Sequence, residues 1–219
     1  MDDVKYLKIQ GYLKNDVPNA FWPHPRPTGR LAISFPGFGY TADMPVLYYP
    51  AFLARDRGFD LLQLKTNYST NAAYQQATGQ EQLEWIMADA RASLQAGLAQ
   101  GNYPQLLLIG KSLGTIAISR LIDDLAEFPR LKILWLTPVL TDPIVTRVLL
   151  EHEIPGLVVI GKSDPYYDPN RIREMESKAY LKLCVYDSAN HSLEIPGDMP
   201  GSIRILADFI LSLDTFIFQ

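Results

Sequence analysis

Cysteine is almost missing from this sequence: Cys184 is the single one in 219 residues. One cysteine excludes an internal disulfide framework and is too few for a zinc–thiolate cluster. It also points to a reducing compartment. Histidine is scarce as well, with His24, His152 and His191 only. Basic runs are absent and the formal net charge is -4, so nucleic acid is an unsuitable partner. No apolar run is long enough to cross a bilayer. Residues 1–11 mix charged with apolar side chains and lack the apolar stretch of a signal peptide. The expectation is a cytoplasmic protein that associates with neither nucleic acid nor membrane. Repeats, low-complexity tracts and linkers are also absent, so residues 1–219 read as a single domain. At 47% hydrophobic residues, a chain of this length can build its core without staples.

What is present is a series of short apolar runs. They fall at residues 31–35, 59–64, 106–109, 131–136, 157–160 and 181–186. Most end in turn chemistry: Pro36-Gly37, Gly110, Thr137-Pro138, Gly161 and Asp187-Ser188. Runs this apolar suit strands covered on both faces, the mark of a parallel sheet. Helical patterns lie between most of them. Residues 82–98 place Leu83, Ile86, Ala90 and Leu94 on one face, and residues 113–125 are apolar nearly all round. Near the end, Ile203, Leu206, Ile210 and Leu213 are spaced as one helix face. Residues 15–30 are rich in Pro and Asn and read as turns joining short opening strands. There Ala20, Phe21 and Trp22 are predicted to pair with residues 6–9. The predicted fold class is α/β: an open, mostly parallel, twisted sheet with helices on both faces. Ligands of such sheets bind at the carboxyl ends of the strands.

Four segments at those ends carry candidate chemistry. After the run 106–109 comes Gly110-Lys111-Ser112-Leu113-Gly114, a G-x-S-x-G between strand and helix. The spacing suits a serine on a tight turn, with glycines allowing strand and helix to approach and a helix N-terminus facing developing negative charge. An ordinary strand-to-helix turn capped by serine has the same letters. After the run 31–35 comes Pro36-Gly37-Phe38-Gly39-Tyr40. After 157–160 comes Gly161-Lys162-Ser163-Asp164-Pro165. After 181–186 a polar turn leads to His191, whereas His152 lies in a charged stretch, Glu151-His152-Glu153, and reads as a surface residue.

Taken in order, these segments resemble the α/β-hydrolase superfamily, from about residue 31 to the end. The resemblance implies Ser112 as nucleophile, His191 as base and Asp164 as the acid that fixes the imidazole tautomer. Asp142 and Asp168 also follow strands and stand as alternatives for the acid. The implied oxyanion donors are the N–H groups of Phe38 and Leu113. Two positions depart from the family pattern. Lys111 stands where an aromatic, acidic or histidine side chain is more usual, and Pro36 where histidine is common. Residues 138–156 leave room for only one short helix, around 144–152, where relatives insert a lid. A small, capless esterase-like enzyme is therefore implied. Tyr40, Tyr68 and Tyr166 are candidates to line a substrate, with Tyr48, Tyr74 and Tyr167 nearby in sequence; tyrosines this dense also serve simply to pack loops.

Three other patterns are set aside. Residues 156–163 fit the Walker A letters, but Leu-Val-Val-Ile between the glycines is a strand and Asp164-Pro165 replaces the helix that must follow. Residues 37–42 fit a dinucleotide fingerprint, yet the next strand ends in Leu64-Lys65-Thr66 without the acidic residue it needs. Cys184 sits mid-strand and reads as a small core residue. The function expected is cleavage of a small ester or thioester through an acyl-enzyme, with no metal and no organic cofactor implied. The alternative is a non-catalytic protein that binds a small ligand on the same scaffold.

Overall fold

The computed structural model describes residues 4–125 and 128–218. Its seven strands are β1 (Asn19–Trp22), β2 (Arg30–Phe35), β3 (Asp60–Leu64), β4 (Gln105–Lys111), β5 (Leu131–Leu136), β6 (Gly156–Gly161) and β7 (Leu181–Tyr186). They form one sheet in the order β1-β3-β2-β4-β5-β6-β7, parallel except for β1, which runs antiparallel to β3. The chain first places β3 on one side of β2 and then β4 on the other. The strand order therefore reverses between β2 and β4, where such sheets open a crevice at their carboxyl ends.

The strands are apolar because both faces are covered. In β4, Leu106 and Leu108 enter the core on one face while Leu107 and Ile109 enter the other. In β5, Ile133 and Trp135 alternate in the same way with Leu134 and Leu136. The first face carries α3 (Gly79–Leu98), α4 (Leu113–Leu121), α5 (Pro143–Glu151) and α6 (Pro169–Glu176). The second carries α1 (Pro45–Asp56) and α7 (Met199–Phe218), which pack on each other; α2 (Ala72–Gln76) is a short turn in the loop after β3.

Local chemistry sets the helix starts. Thr78 and Glu81 form a reciprocal capping box on α3. Asp142-Pro143 opens α5 and Asp168-Pro169 opens α6, each aspartate bonding the first free amides while proline fits a position that needs no N–H.

Three sequence expectations need correction. The helix expected over 113–125 stops at Leu121 and is followed by a separate 3-10 turn, Asp123–Leu125. Ala20 to Trp22 pair chiefly with β3, from Asn19 opposite Leu64 to Trp22 opposite Leu61. Among the described residues the opening segment bridges this strand at Lys5–Phe21, while the buried Asn19 side chain takes both the N–H and the C=O of Leu7. On α7, Leu213 is buried but Ile203 is 59% exposed. The inward face is Ile205, Phe209, Leu213 and Phe216 instead, since turning two phenylalanines inward removes more apolar area from water.

One buried carboxylate fastens the start of the chain. Asp89 on α3 accepts the Tyr12 N–H at 3.0 Å and the Tyr68 hydroxyl at 2.9 Å. Burial pushes the Asp89 carboxyl up, against the pull of these donors. Asp89→Ala should leave both donors unpaired and lower stability by about 2–4 kcal/mol, read from the midpoint of urea unfolding.

Candidate active site

At the carboxyl end of β4 the backbone turns sharply. Ser112 has φ 52° and ψ -112°, the first corner of a type II′ turn, which side chains other than glycine rarely adopt. The surroundings hold it there. Ser112 N–H donates to the Leu136 carbonyl of β5 at 3.0 Å. Its own carbonyl accepts the Thr115 amide at 2.8 Å and the Thr115 hydroxyl at 2.6 Å. The two glycines are needed where they stand. A Cβ on Gly110 would meet Ile118 at 2.6 Å and the Gly114 backbone at 3.0 Å, and one on Gly114 would overlap the Phe35 carbonyl oxygen. Gly37, in the turn after β2, faces this corner; a Cβ there would lie 3.5 Å from that of Ser112.

The loops after β6 and β7 complete the group. His191 Nε2 stands 2.8 Å from Ser112 Oγ, and its Nδ1 stands 2.8 Å from Asp164 Oδ2. Asp164 is buried, and its other oxygen accepts the Tyr166 amide at 2.9 Å. A carboxylate bound to Nδ1 fixes the tautomer with the proton on Nδ1, leaving Nε2 to accept from the serine hydroxyl. The His191 side chain is 30% exposed, so the serine end of the chain is open to water. Asn190 Oδ1 folds the histidine loop by accepting the Ser192 and Glu194 amides.

The rival acids are engaged elsewhere. Asp142 accepts the Ile144 and Val145 amides and pairs with Arg120 at 2.9 Å. Burial pushes its carboxyl up, but Arg120 and those amides outweigh it and hold the group below the usual range. Asp168 caps α6 through the Asn170 and Arg171 amides.

The aromatic candidates divide. The Tyr166 ring meets the His191 ring edge-on, with centroids 5.2 Å apart. The Tyr40 hydroxyl accepts the Val46 amide at 3.1 Å, and burial pushes its phenol up to about 12. Phe38 is 47% exposed, its ring tilted toward Tyr74. Tyr68 is 6% exposed and packs on Tyr74, its hydroxyl satisfying the buried Asp89. It supports the fold, and it shares a small void with Leu113 and Gly114 behind the serine turn.

Sequence reasoning flagged Lys111 only as out of pattern. The structure buries it, with Nζ donating to the His191 carbonyl at 2.9 Å. The signal available in the sequence was a lysine at the end of an otherwise apolar strand. A hollow of about 970 Å³ lies at the opposite, amino ends of the strands among Arg30, Gln105, Arg130 and His152, remote from Ser112. Among the described residues no cluster of His, Cys, Asp or Glu is placed to hold a metal ion, and no helix is long and apolar enough to cross a membrane.

No family model and no curated protein matches the chain. Solved structures do. A serine hydrolase without a lid from Xanthomonas campestris superposes with a TM-score of 0.67 at 18% identity, covering 98% of this chain and 93% of that one. An esterase from Pyrococcus furiosus gives 0.70 at 13% identity, over 99% and 92%. A serine hydrolase homologue from Coxiella burnetii gives 0.67 at 15%, over 97% and 98%. The chain has the α/β-hydrolase fold. It is a minimal version, since only α5 and its flanking turns stand between β5 and β6, where a lid would be inserted.

The strain at Ser112 is measurable. Ser112→Gly should be more stable than Ser112→Ala by about 1 kcal/mol, because glycine accepts the positive φ and alanine does not. Paired thermal melts of the two variants would show this as a difference of a few degrees.

Proposed function

We propose that this protein is a serine hydrolase that cleaves a small ester or thioester. The carrying observation is the unbroken hydrogen-bond chain from Ser112 through His191 to Asp164, both links 2.8 Å long. The fold supports the reading, as its structural counterparts include serine hydrolases and an esterase.

In the mechanism, Ser112 Oγ attacks the carbonyl carbon and its proton passes to His191 Nε2. The carbonyl oxygen takes up the electron pair. Leu113 begins α4, so its amide has no acceptor a turn earlier and lies at the positive end of the helix dipole. Phe38 offers the second amide from the turn that Gly37 brings beside Ser112. These two N–H groups hold the oxyanion. Collapse of the intermediate breaks the bond to the leaving alcohol or thiol, which takes the proton from Nε2. Water then attacks the acyl-enzyme, with His191 again receiving a proton and returning it to Ser112. Asp164 keeps the imidazole oriented and stabilises the imidazolium as it forms. Without a lid the acyl group lies on an open shelf, with the Tyr166 ring against His191 and the Phe38 ring exposed beside the turn after β2.

Hydrolysis of p-nitrophenyl acetate tests the assignment. Ser112→Ala and His191→Ala should each lower kcat by about three orders of magnitude or more, and Asp164→Asn by about two to four. A fluorophosphonate should add one equivalent to the parent protein, mapped to Ser112, and none to Ser112→Ala. Hydrolysis that survives in Ser112→Ala would sink the proposal.

A further inference from the structure

One buried cation touches most of the loops that carry the site. Lys111, the last residue of β4, is 1% exposed. Its Nζ donates to the His191 carbonyl at 2.9 Å and to Thr137 Oγ1 at 3.1 Å, and lies 4.6 Å from the centre of the Tyr40 ring. Those partners follow β7, β5 and β2. Asp164, after β6, is the carboxylate whose field acts on it. Glu194 acts in turn on the Tyr40 phenol. From the second face the residues that α1 buries are the apolar Val46, Leu47, Pro50, Ala51 and Ala54. The ionisable groups around the ammonium are thus Asp164, His191 and Tyr40, with Glu194 beyond.

Such a residue is poor construction for stability alone. An ammonium taken out of water without a carboxylate in direct contact is unfavourable, and methionine would fill the same volume. Its hydroxyl partner is strained too: Thr137 is buried with φ 45°. What the arrangement secures is the histidine loop. β7 is an edge strand and only partly buried, and the loop after it is also held by its own Asn190 bonds, the Ala189 carbonyl to Ser163 N–H bond, the Lys162–Asp187 pair, the burial of Ala189 and Leu193 against the second face, and the imidazole itself. The Lys111 bond fastens the backbone of His191 itself to the middle of the sheet.

We propose that Lys111 is a positioning residue, whose ammonium ties the His191 backbone to the ends of β4 and β5 so that the imidazole meets Ser112 without adjustment. The inference rests on the serine-hydrolase reading above. Displacement of a reacting group by about 1 Å costs about a hundred-fold in rate, so a tie of this kind has a large effect.

The ammonium also gives the site a pH signature. Burial lowers the Lys111 ammonium to about 8, with Asp164 pulling the other way. Above that pH the group is neutral and its bonds to His191 and Thr137 lose their charge assistance. Because the folded value lies below the ordinary one, the unfolded chain holds this proton more tightly. The Lys111 contribution to stability is therefore unfavourable below pH about 8 and improves as pH rises from there toward about 10.4. Removing the charge should not lower the melting temperature at neutral pH.

The test is the rate at which a fluorophosphonate modifies Ser112, followed by intact mass from roughly pH 6 to pH 10, in the parent, Lys111→Met and Lys111→Gln. In the parent the rate should fall as pH rises through about 8. Lys111→Met should be slower by about ten-fold or more at neutral pH, with an unchanged or higher melting temperature. Lys111→Gln, which keeps an N–H donor, should recover part of the rate, and neither variant should show the step near pH 8. A parent unreactive at Ser112 would overturn the hydrolase reading and this one with it. A reactive parent matched within about two-fold by Lys111→Met would overturn the role of Lys111 alone. So would rates that fall in both variants together with their melting temperatures, since the lysine would then be merely structural.

Discussion

The backbone of α4 passes so close to the end of β2 that residue 114 has no room for a side chain. That contact between Gly114 and the Phe35 carbonyl governs what surrounds it. It fixes the first turn of α4 against β2, next to the central strand of the sheet, and it brings the turn after β2 beside the turn after β4. The two turns then meet at one corner without either needing a long reach. The same squeeze leaves Ser112 little choice but positive φ, so the strained serine and the crowded glycine are two ends of one constraint. Strain of about 1–3 kcal/mol at such a residue persists only because strands on both sides over-determine it.

Around this corner the polar atoms are matched with few to spare. The Thr115 hydroxyl gives its proton to the Ser112 carbonyl and accepts the Val139 amide. Asp164 divides its oxygens between an imidazole and an amide. A buried group left without a partner costs about 1–3 kcal/mol, so a change at one member is felt by the next. The fold tolerates a buried lysine here for the same reason: its protons have takers, even though its charge is poorly compensated.

Most of the sheet was legible because strands covered on both faces leave an unbroken apolar trace, and because turn residues mark where each strand stops. The corner was legible for a related reason. In a parallel sheet the residue just after a strand lies at the carboxyl edge, so Ser112, Asp164 and His191 could be set on one rim from order alone. What sequence could not supply was the destination of side chains across the fold. Nothing near Tyr68 announces that its hydroxyl ends on Asp89, twenty-one residues on. Nothing near Asn19 says that it replaces a strand partner for Leu7. The inward face of α7 was misread because that helix is apolar on more than one side, and the choice was made by the volumes of Phe209 and Phe216 against the sheet. Lys111 was visible as an oddity, but its partner lies 80 residues away.

The order of the strands has a consequence in time. Ser112 meets His191 across 79 residues, and the histidine comes after the last strand of the sheet. A chain leaving the ribosome exposes its serine corner long before β6 and β7 exist to deliver the acid and the imidazole. Until then the Ser112 hydroxyl lacks the imidazole that it meets in the finished fold. The Ser112–His191–Asp164 chain is thus acquired late, once every strand of the sheet has been made and with α7 still to follow.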